Sequence, residues 1–372
     1  MTALRELRSL GNSVVLRWTV AALGLVLVLS VTQELARPET TDLISSGTAE
    51  ATLRRAVPIL LAGLGGIWAE RAGVVNIGLE GMMILGAWFG AWGALEFGPW
   101  WGIVIGIAGG AAGGLLHAVA TVGFGVDHII SGVAINILAP ALARFLSREV
   151  FAQRPGGGIT QSPRLESVGH VDIPFLSGGD LFGWSTPDIF GWLADRGWFI
   201  VSDVFAVASG VTSNISWATL LALLLVPATV FVLWYTPFGL RVRASGEHPV
   251  AADSLGVNTR RIDSYTFAFG SGLAGLAGYA LTLIGGVTPD MGQNYIVESF
   301  LVVVTGGAGE LLGVICSGLG LGVATKVIEP MQFGDFTVEA IWAKVFVLAC
   351  VVAFIQFKPA GLFPPKGRLA DV

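Results

Sequence analysis

Long apolar runs with few charges are the feature of this sequence that most restricts its fold. A helical window of about 20 apolar residues matches the thickness of the hydrocarbon core of a bilayer. We count ten such windows: residues 17–35, 53–69, 74–95, 100–123, 128–147, 214–236, 264–286, 294–308, 310–328 and 338–357. The second, third, eighth and ninth are short or broken by glycine or charge. The sequence therefore predicts an all-α fold, a polytopic membrane helix bundle of about ten transmembrane helices.

The composition excludes several other classes of protein. Only 13% of the 372 residues are charged and 53% are hydrophobic, whereas an average soluble domain carries about 25% charged residues. The net charge of −5 argues against nucleic acid as a partner. Cys316 and Cys350 lie within apolar stretches and form no metal-binding pattern with histidine. We therefore predict no metal site and no cofactor on this chain.

The distribution of arginine predicts the orientation in the membrane, because cytoplasmic loops carry an excess of basic residues. Loop 237–263 carries four arginines, and residues 1–17 carry three. Segment 149–213 instead holds three arginines against seven acidic residues. With ten spans, both termini and loop 237–263 lie in the cytoplasm and segment 149–213 lies outside. In this orientation four arginines lie near the outer face of the membrane, which departs from the expected excess of basic residues on the cytoplasmic side: Arg54, Arg55, Arg144 and Arg148.

Polar residues inside the apolar windows are candidates for a solute pathway, because such groups are costly in a membrane. The run 70–83 contains three glycines that weaken a helix. A broken helix at membrane depth lines a cavity or is buried in protein. Asn76 and Glu80 are four residues apart and can share one helical face, so we predict that both line the pathway. For Glu70 and Arg71 the alternative is an ordinary cytoplasmic turn.

A second polar group lies at the start of the fifth window. Ser131 and Asn136 can bond a polar solute or join neighbouring helices. Asp127 is a good helix cap, and His117 fits the interior of a helix bundle. Further along the chain, Glu298 lies within a span and is a third candidate for the pathway.

The motifs that would indicate an enzyme are missing from the sequence. It contains no G-x-x-x-x-G-K-[ST] phosphate loop, no H-E-x-x-H and no G-x-S-x-G. We find no set of nucleophile, base and acid. We therefore predict no catalytic residues and no enzymatic activity on this chain.

Loop 237–263 carries the pattern of a short surface helix. Pro249 suits the first helical turn, and Ala251, Ala252 and Leu255 give the helix a small, mostly apolar face. Such a helix can dock into a groove on another protein. The alternative is a solvated loop that contacts anionic lipid head groups.

This loop resembles the coupling loop of permease subunits in ATP-binding-cassette importers. The spacing Ala251-Ala252-x-x-x-Gly256 is similar to the Glu-Ala-Ala-x-x-x-Gly pattern of that family. Val250 stands where the pattern has glutamate, and Glu247 lies three residues earlier. The resemblance assigns contact with the ATPase to these residues: Glu247, His248, Pro249, Ala251, Ala252, Asp253 and Gly256.

The whole chain resembles the permease family that covers branched-chain amino acids, simple sugars and nucleosides. Residues 54–262 are similar to the nucleoside and simple-sugar branch. The matching runs are 70–83, 127–136, 156–163 and 246–253. Residues 263–368 are more similar to urea and branched-chain amino acid permeases. The matching runs there are 264–275, 295–307 and 359–363.

The resemblance implies the following organisation. Residues 1–372 form one permease domain of the type II importer kind, with 149–213 as an extracytoplasmic segment and 237–263 as the coupling loop. Its partners are ATPase subunits that bind ATP, a second identical or homologous permease subunit, an extracytoplasmic substrate-binding protein and membrane lipid. The expected location is a prokaryotic cytoplasmic membrane.

The predicted activity is alternating-access import of nucleosides or related polar neutral solutes, because uncharged groups such as Asn76 and Asn136 suit a neutral cargo. The alternatives within the family are urea, short amides and branched-chain amino acids. A stand-alone secondary transporter or channel is the alternative of another class, and it would work without ATP.

Overall fold

Helices dominate the chain. The computed structural model describes residues 45–181, 184–198, 201–288, 291–307, 310–328, 332–333, 336–337, 340–359 and 361–363. In these ranges the helices are α1 Ser46–Arg71, α2 Leu79–Phe97, α3 Pro99–Ala118, α4 His128–Val150, α5 Ile189–Ala194, α6 Val201–Thr212, α7 Trp217–Tyr235, α8 Pro237–Glu247, α9 Pro249–Ser254, α10 Thr259–Gly285, α11 Met291–Gly306, α12 Leu311–Ile328 and α13 Ala340–Phe357. A π-helical turn, Val119–Gly123, continues α3. The strands are β1 His170–Val171, β2 Asp180–Leu181, β3 Trp184–Ser185, β4 Ile215–Ser216, β5 Gln332–Phe333 and β6 Phe336–Thr337.

The all-α prediction is confirmed. The predicted span 17–35 lies outside the described residues, and each of the other nine predicted spans corresponds to a helix. Several helices start earlier than predicted, because polar residues continue them beyond the apolar run. Within the described ranges, four helices are long and apolar enough to cross a membrane: Pro99–Gly123, His128–Val150, Trp217–Tyr235 and Thr259–Gly285.

Polar caps fix where these helices begin. Asp127 caps α4, because its carboxylate accepts hydrogen bonds from the backbone N–H groups of Ile129 and Ile130 at 2.8 and 3.1 Å. The predicted role of Asp127 is thereby confirmed. Ser216 caps α7 and Asn258 caps α10 in the same way. A helix cannot satisfy its own first N–H groups, so these side chains set each start.

Glycines bring α2, α3 and α10 into backbone contact. A Cβ atom added at Gly275 of α10 would lie 2.8 Å from the Cα atom of Gly110 on α3. Gly86 of α2 also meets the backbone of Gly275. Tyr279 is fully buried between these helices, and its hydroxyl donates to the carbonyl of Pro99 at 2.7 Å. The core of this unit therefore depends on small residues, as membrane helix packing does.

The chain divides into two compact units. One contains residues 54–169, 216–325 and 340–372, and holds the glycine-rich core. The other contains residues 1–53, 170–215 and 326–339. Within the latter, the Asn214 side chain donates to Glu50 at 2.8 Å, and β2 pairs with β3 in antiparallel register. The extracytoplasmic position of segment 149–213 stays a prediction.

Candidate functional site

A break in the helical structure separates α1 from α2 and confirms the weakness predicted for this run. The helix α1 ends at Arg71, and α2 begins at Leu79. Gly73 has a φ angle of +85°, in the left-handed region that favours glycine. We call residues 72–78 the break.

Asn76 connects the break to two helices. It is buried, with 3% of its surface exposed. Its side-chain oxygen accepts from the Gly78 N–H at 3.0 Å, and its nitrogen donates to the Met82 sulfur at 3.3 Å. The same sulfur accepts from the Ser271 hydroxyl of α10 at 2.8 Å. Asn76, Met82 and Ser271 therefore form one polar chain inside the helix core.

Asn136 binds the break from α4. Its side-chain oxygen accepts from the Gly81 N–H, and its nitrogen donates to the Ile77 carbonyl, both at 2.8 Å. The Gly81 N–H lies in the first turn of α2, where a helix has no carbonyl of its own to accept from such groups. Asn136 therefore joins neighbouring helices, which was one of its two predicted roles.

Ser131 belongs to a second buried cluster beside the π-helical turn. Its hydroxyl shares a hydrogen bond with His117 Nδ1 at 2.9 Å. The fully buried His117 ring meets the Phe267 ring edge-on, with 4.8 Å between centroids, and lies 5.7 Å from the His128 ring. Among the described residues, His117 Nε2 and His128 Nδ1 have no hydrogen-bond partner.

Sequence reasoning did not select His128, Met82 or Ser271 for this region. The position of His128 directly after the cap Asp127 is the sequence feature that could have identified it. Met82 and Ser271 sit among apolar and small residues in the sequence, so no local pattern distinguishes them from ordinary core positions.

Glu80 differs from Asn76, Asn136 and Ser131 in its hydrogen bonding. It is the second residue of α2 and only 9% of its surface is exposed. Within the described part of the chain, no hydrogen bond or ion pair reaches its carboxyl group. A buried carboxylate without a partner is costly and usually serves a function in a membrane protein. Glu298 is half-buried on α11.

The predicted short surface helix is present as α9. Pro249 occupies its first position, and His248 caps it by accepting from the Ala251 N–H at 3.3 Å. Of the predicted apolar face, Ala251 and Leu255 are exposed, whereas Ala252 turns inward and is 4% exposed. The exposed large apolar residues here are Val250 and Leu255, at 71% and 86%.

The other residues that were predicted to contact the ATPase lie on α9 or at its two ends. Glu247 is the last residue of α8, and Asp253 lies exposed on α9. Gly256 follows with a φ angle of +84°, which ends the helix in the left-handed region. The surface around α9 therefore combines two apolar side chains with acidic and small residues.

The helix α8, which leads into α9, lies directly against the break. A Cβ atom at Gly246 would lie 2.9 Å from the Gly73 nitrogen and 3.0 Å from the Ala72 carbonyl carbon. A Cβ atom at Gly73 would lie 3.0 Å from the Gly246 Cα atom. We call this backbone contact the Gly73–Gly246 contact. It leaves no room for a side chain on either residue.

An ion pair lies beside this contact. The Arg71 guanidinium is 3.2 Å from the Glu310 carboxylate, and it stacks 5.1 Å from the centre of the Trp234 ring. The ends of α1 and α7 and the start of α12 therefore meet near the end of α8. Arg71 therefore helps to hold these helix ends together.

A cavity of about 1070 Å³ lies at the far end of α10 from the break. The last residues of α10 and the segment 155–167 form its walls. Its polar side chains include Gln161, Ser162, Arg164 and Glu166. The Ser162 hydroxyl accepts from the Val287 N–H at 3.0 Å and fixes this segment to the end of α10. The cavity can admit a polar solute of nucleoside size.

Residues 48–355 match the family model described as branched-chain amino acid transport system / permease component. The chain belongs to this family. The predicted resemblance and membrane-permease fold are thereby confirmed, and the break, the Gly73–Gly246 contact and α9 all lie within the matched residues of the permease.

The proteins to which this chain is similar include three permeases of ABC transporters. The guanosine ABC transporter permease protein NupQ of Bacillus subtilis is 36% identical over 265 residues, 68% of the permease and 73% of NupQ. The nucleoside ABC transporter permease protein NupC of Lactococcus lactis is 33% identical over 281 residues, 73% and 78% of the two chains. The putative glucose ABC transporter permease protein TsgC13 of Haloferax volcanii is 31% identical over 269 residues, 69% and 70%. No solved structure matches the permease.

Proposed function

We propose that the permease is the transmembrane subunit of an ATP-binding-cassette importer for nucleosides. The observation that carries this proposal is its similarity to NupQ and NupC, which are named for guanosine and nucleoside transport and match at 36% and 33% identity. ATP binds to separate ATPase subunits, and the other partners are a second permease subunit and an extracytoplasmic binding protein. Residues 1–372 form one permease domain in a prokaryotic cytoplasmic membrane, with both termini in the cytoplasm.

The solute pathway in this proposal passes Glu80. A nucleoside is neutral and rich in hydroxyl donors, and a carboxylate accepts hydrogen bonds from such donors. Glu80 is buried in a helix core whose other polar groups already bond each other. Asn76, Ser131 and Asn136 shape the pathway by holding the break and the α4 helix, and Glu298 belongs to it further along.

Coupling to the ATPase runs through α9 and α8. In this proposal the ATPase groove receives α9 with the residues from Glu247 to Gly256. A movement of α9 reaches α8 directly, because only His248 separates the two helices. The Gly73–Gly246 contact supports transfer of that movement to the break, since two backbones in contact cannot shift independently. The break is then the element that opens and closes the inner end of the pathway.

Uptake by cells with and without the gene tests the proposed substrate. The labelled solutes are guanosine, adenosine, glucose, urea and leucine, each supplied separately. Loss of guanosine or adenosine uptake alone is the expected result. Loss of glucose uptake would indicate a sugar substrate, as the similarity to TsgC13 suggests. Loss of urea or leucine uptake would indicate a substrate of the kind suggested by the resemblance of residues 263–368. Either of these would refute the nucleoside assignment, and unchanged uptake without ATP would refute the importer.

Replacing Glu80 with leucine is expected to lower nucleoside uptake about tenfold, the effect of one lost charge-assisted hydrogen bond. Thermal stability of the purified permease is expected to rise, because an apolar residue removes the cost of a buried, unpaired carboxylate. The measurements are uptake per permease molecule and the unfolding midpoint in detergent. Glu96→Gln on the same helix is the control, since Glu96 forms an exposed ion pair with Arg154. Normal uptake by Glu80→Leu would remove Glu80 from the pathway.

Replacing Leu255 with aspartate is expected to reduce the amount of ATPase that co-purifies with the permease about tenfold or more. The side chain is 86% exposed beside α9, and an apolar anchor of this kind carries much of the energy of an interface. Leu240→Asp on α8 is the matched control, because it replaces another exposed leucine, 60% exposed, with the same charge outside the segment from Glu247 to Gly256. Equal recovery of the ATPase with both variants would show that Leu255 does not dock.

A further inference from the structure

A second cavity, of about 540 Å³, lies between the π-helical turn after α3 and the first turns of α10. One wall is polar and carries Arg260, Arg261 and Tyr265 of α10. The other wall is apolar and includes Leu115, Val119 and Phe124. None of these side chains takes part in the pathway or in the docking helix described above.

The polar wall of the cavity carries positive charge that no acidic residue of the lining neutralises. The residues that line the cavity include no aspartate or glutamate. In the part of the chain that the structure describes, neither Arg260 nor Arg261 forms an ion pair. Asp263 is close in sequence, but its carboxylate accepts from the Ser245 hydroxyl at 2.9 Å and is not part of the lining. The cavity therefore attracts an anion.

The apolar wall indicates what the rest of the ligand is. Leu115, Val119 and Phe124 expose 46%, 55% and 82% of their surface. Both helices at the cavity are long and apolar enough to cross a membrane, Pro99–Gly123 and Thr259–Gly285. The cavity is at their adjoining ends, which is the depth where polar head groups meet acyl chains. A ligand that fits both walls has an anionic head and an apolar tail.

We propose that this cavity binds an anionic phospholipid. The planar guanidinium groups of Arg260 and Arg261 contact the phosphate, a group that arginine binds with two parallel hydrogen bonds. The Tyr265 hydroxyl can donate a further hydrogen bond, and the acyl chains pack on Leu115, Val119 and Phe124. Loop 237–263 is expected to face the cytoplasm, where the leaflet carries negative lipids. This lipid site goes beyond the proposed solute transport.

Native mass spectrometry of the purified full-length permease tests the site. The detergent-solubilised protein is titrated with phosphatidylglycerol and, separately, with phosphatidylcholine. The double variant Arg260→Gln/Arg261→Gln is expected to bind phosphatidylglycerol about twenty-five-fold more weakly, with about fivefold from each arginine. Arg241→Gln is the matched control, because Arg241 is exposed on the same loop and does not line the cavity. Its affinity is expected to equal that of the wild type.

A second variant tests the apolar wall with both arginines intact. Phe124→Ser is expected to weaken phosphatidylglycerol binding severalfold, since it removes the most exposed apolar contact. Equal affinity of the double arginine variant and the wild type would overturn the proposal, as would equal affinity for phosphatidylcholine. Displacement of the lipid by an equal concentration of glycerol 3-phosphate would show a soluble-phosphate site instead. No solute or ATP is present, so failure here leaves the nucleoside proposal untouched.

Discussion

Replacing Gly246 with valine is expected to lower nucleoside uptake strongly while the ATPase remains bound. Valine places its side chain where the Gly73 nitrogen and the Ala72 carbonyl carbon lie within 3.0 Å of the first added atom. Neither neighbour is a flexible side chain that can turn away, so α8 must separate from the break. The exposed surface of α9 is unchanged by the substitution. Uptake is expected to fall about tenfold or more, the size of a typical coupling energy between sites.

Three measurements on the same preparation separate this effect from misfolding. Membrane abundance and co-purified ATPase are expected to stay near the wild-type level, while uptake falls and ATP hydrolysis continues without transport. Gly320→Val on α12 is the control, because a Cβ atom at Gly320 meets nothing within 4 Å. Gly73→Ala, which approaches the same contact from the other side, is expected to reproduce the loss of uptake. Normal uptake by Gly246→Val would show that the contact does not transmit movement.

The sequence predicts elements better than it predicts contacts between them. Apolar windows identified nine helices in the described residues, and glycines in the run 70–83 identified the break, because both effects are local. The cap Asp127 and the helix start at Pro249 follow from the same local chemistry. These features need no knowledge of what lies across the bundle.

The contacts of the candidate site are not local, and this explains what the sequence could not provide. Gly73 and Gly246 are far apart in the chain, and a glycine carries no side chain whose chemistry could suggest a partner. The sequence left open whether Asn136 contacts the solute or a neighbouring helix, and its bonds to Gly81 and Ile77 depend on how α4 packs against the break. Ala252 turns inward although the pattern placed it on one face with Ala251 and Leu255, because the inward side of α9 depends on packing against the rest of the permease, which the six-residue pattern does not contain.

The glycine-rich core carries the other large expected effect. Replacing Gly275 with leucine is expected to prevent accumulation of the folded permease. The first added atom would lie 2.8 Å from Gly110 Cα and 2.9 Å from Gly110 nitrogen, and Gly86 approaches the same glycine from α2. A leucine adds three further carbons, so α10 must move away from both helices. Overpacking of an ordinary core costs about 1–3 kcal/mol, occasionally more.

The expected cost at Gly275 exceeds that range, because the obstacles are backbone atoms on two sides and cannot adopt other rotamers. A loss of this size consumes much of the total stability of a typical domain, about 5–15 kcal/mol. Membrane abundance, measured by immunoblot and by size-exclusion chromatography in detergent, is expected to fall at least about tenfold. Gly320→Leu is the matched control on α12, where a Cβ atom meets nothing within 4 Å. A monodisperse Gly275→Leu permease at wild-type abundance would mean that α2, α3 and α10 do not pack through their backbones.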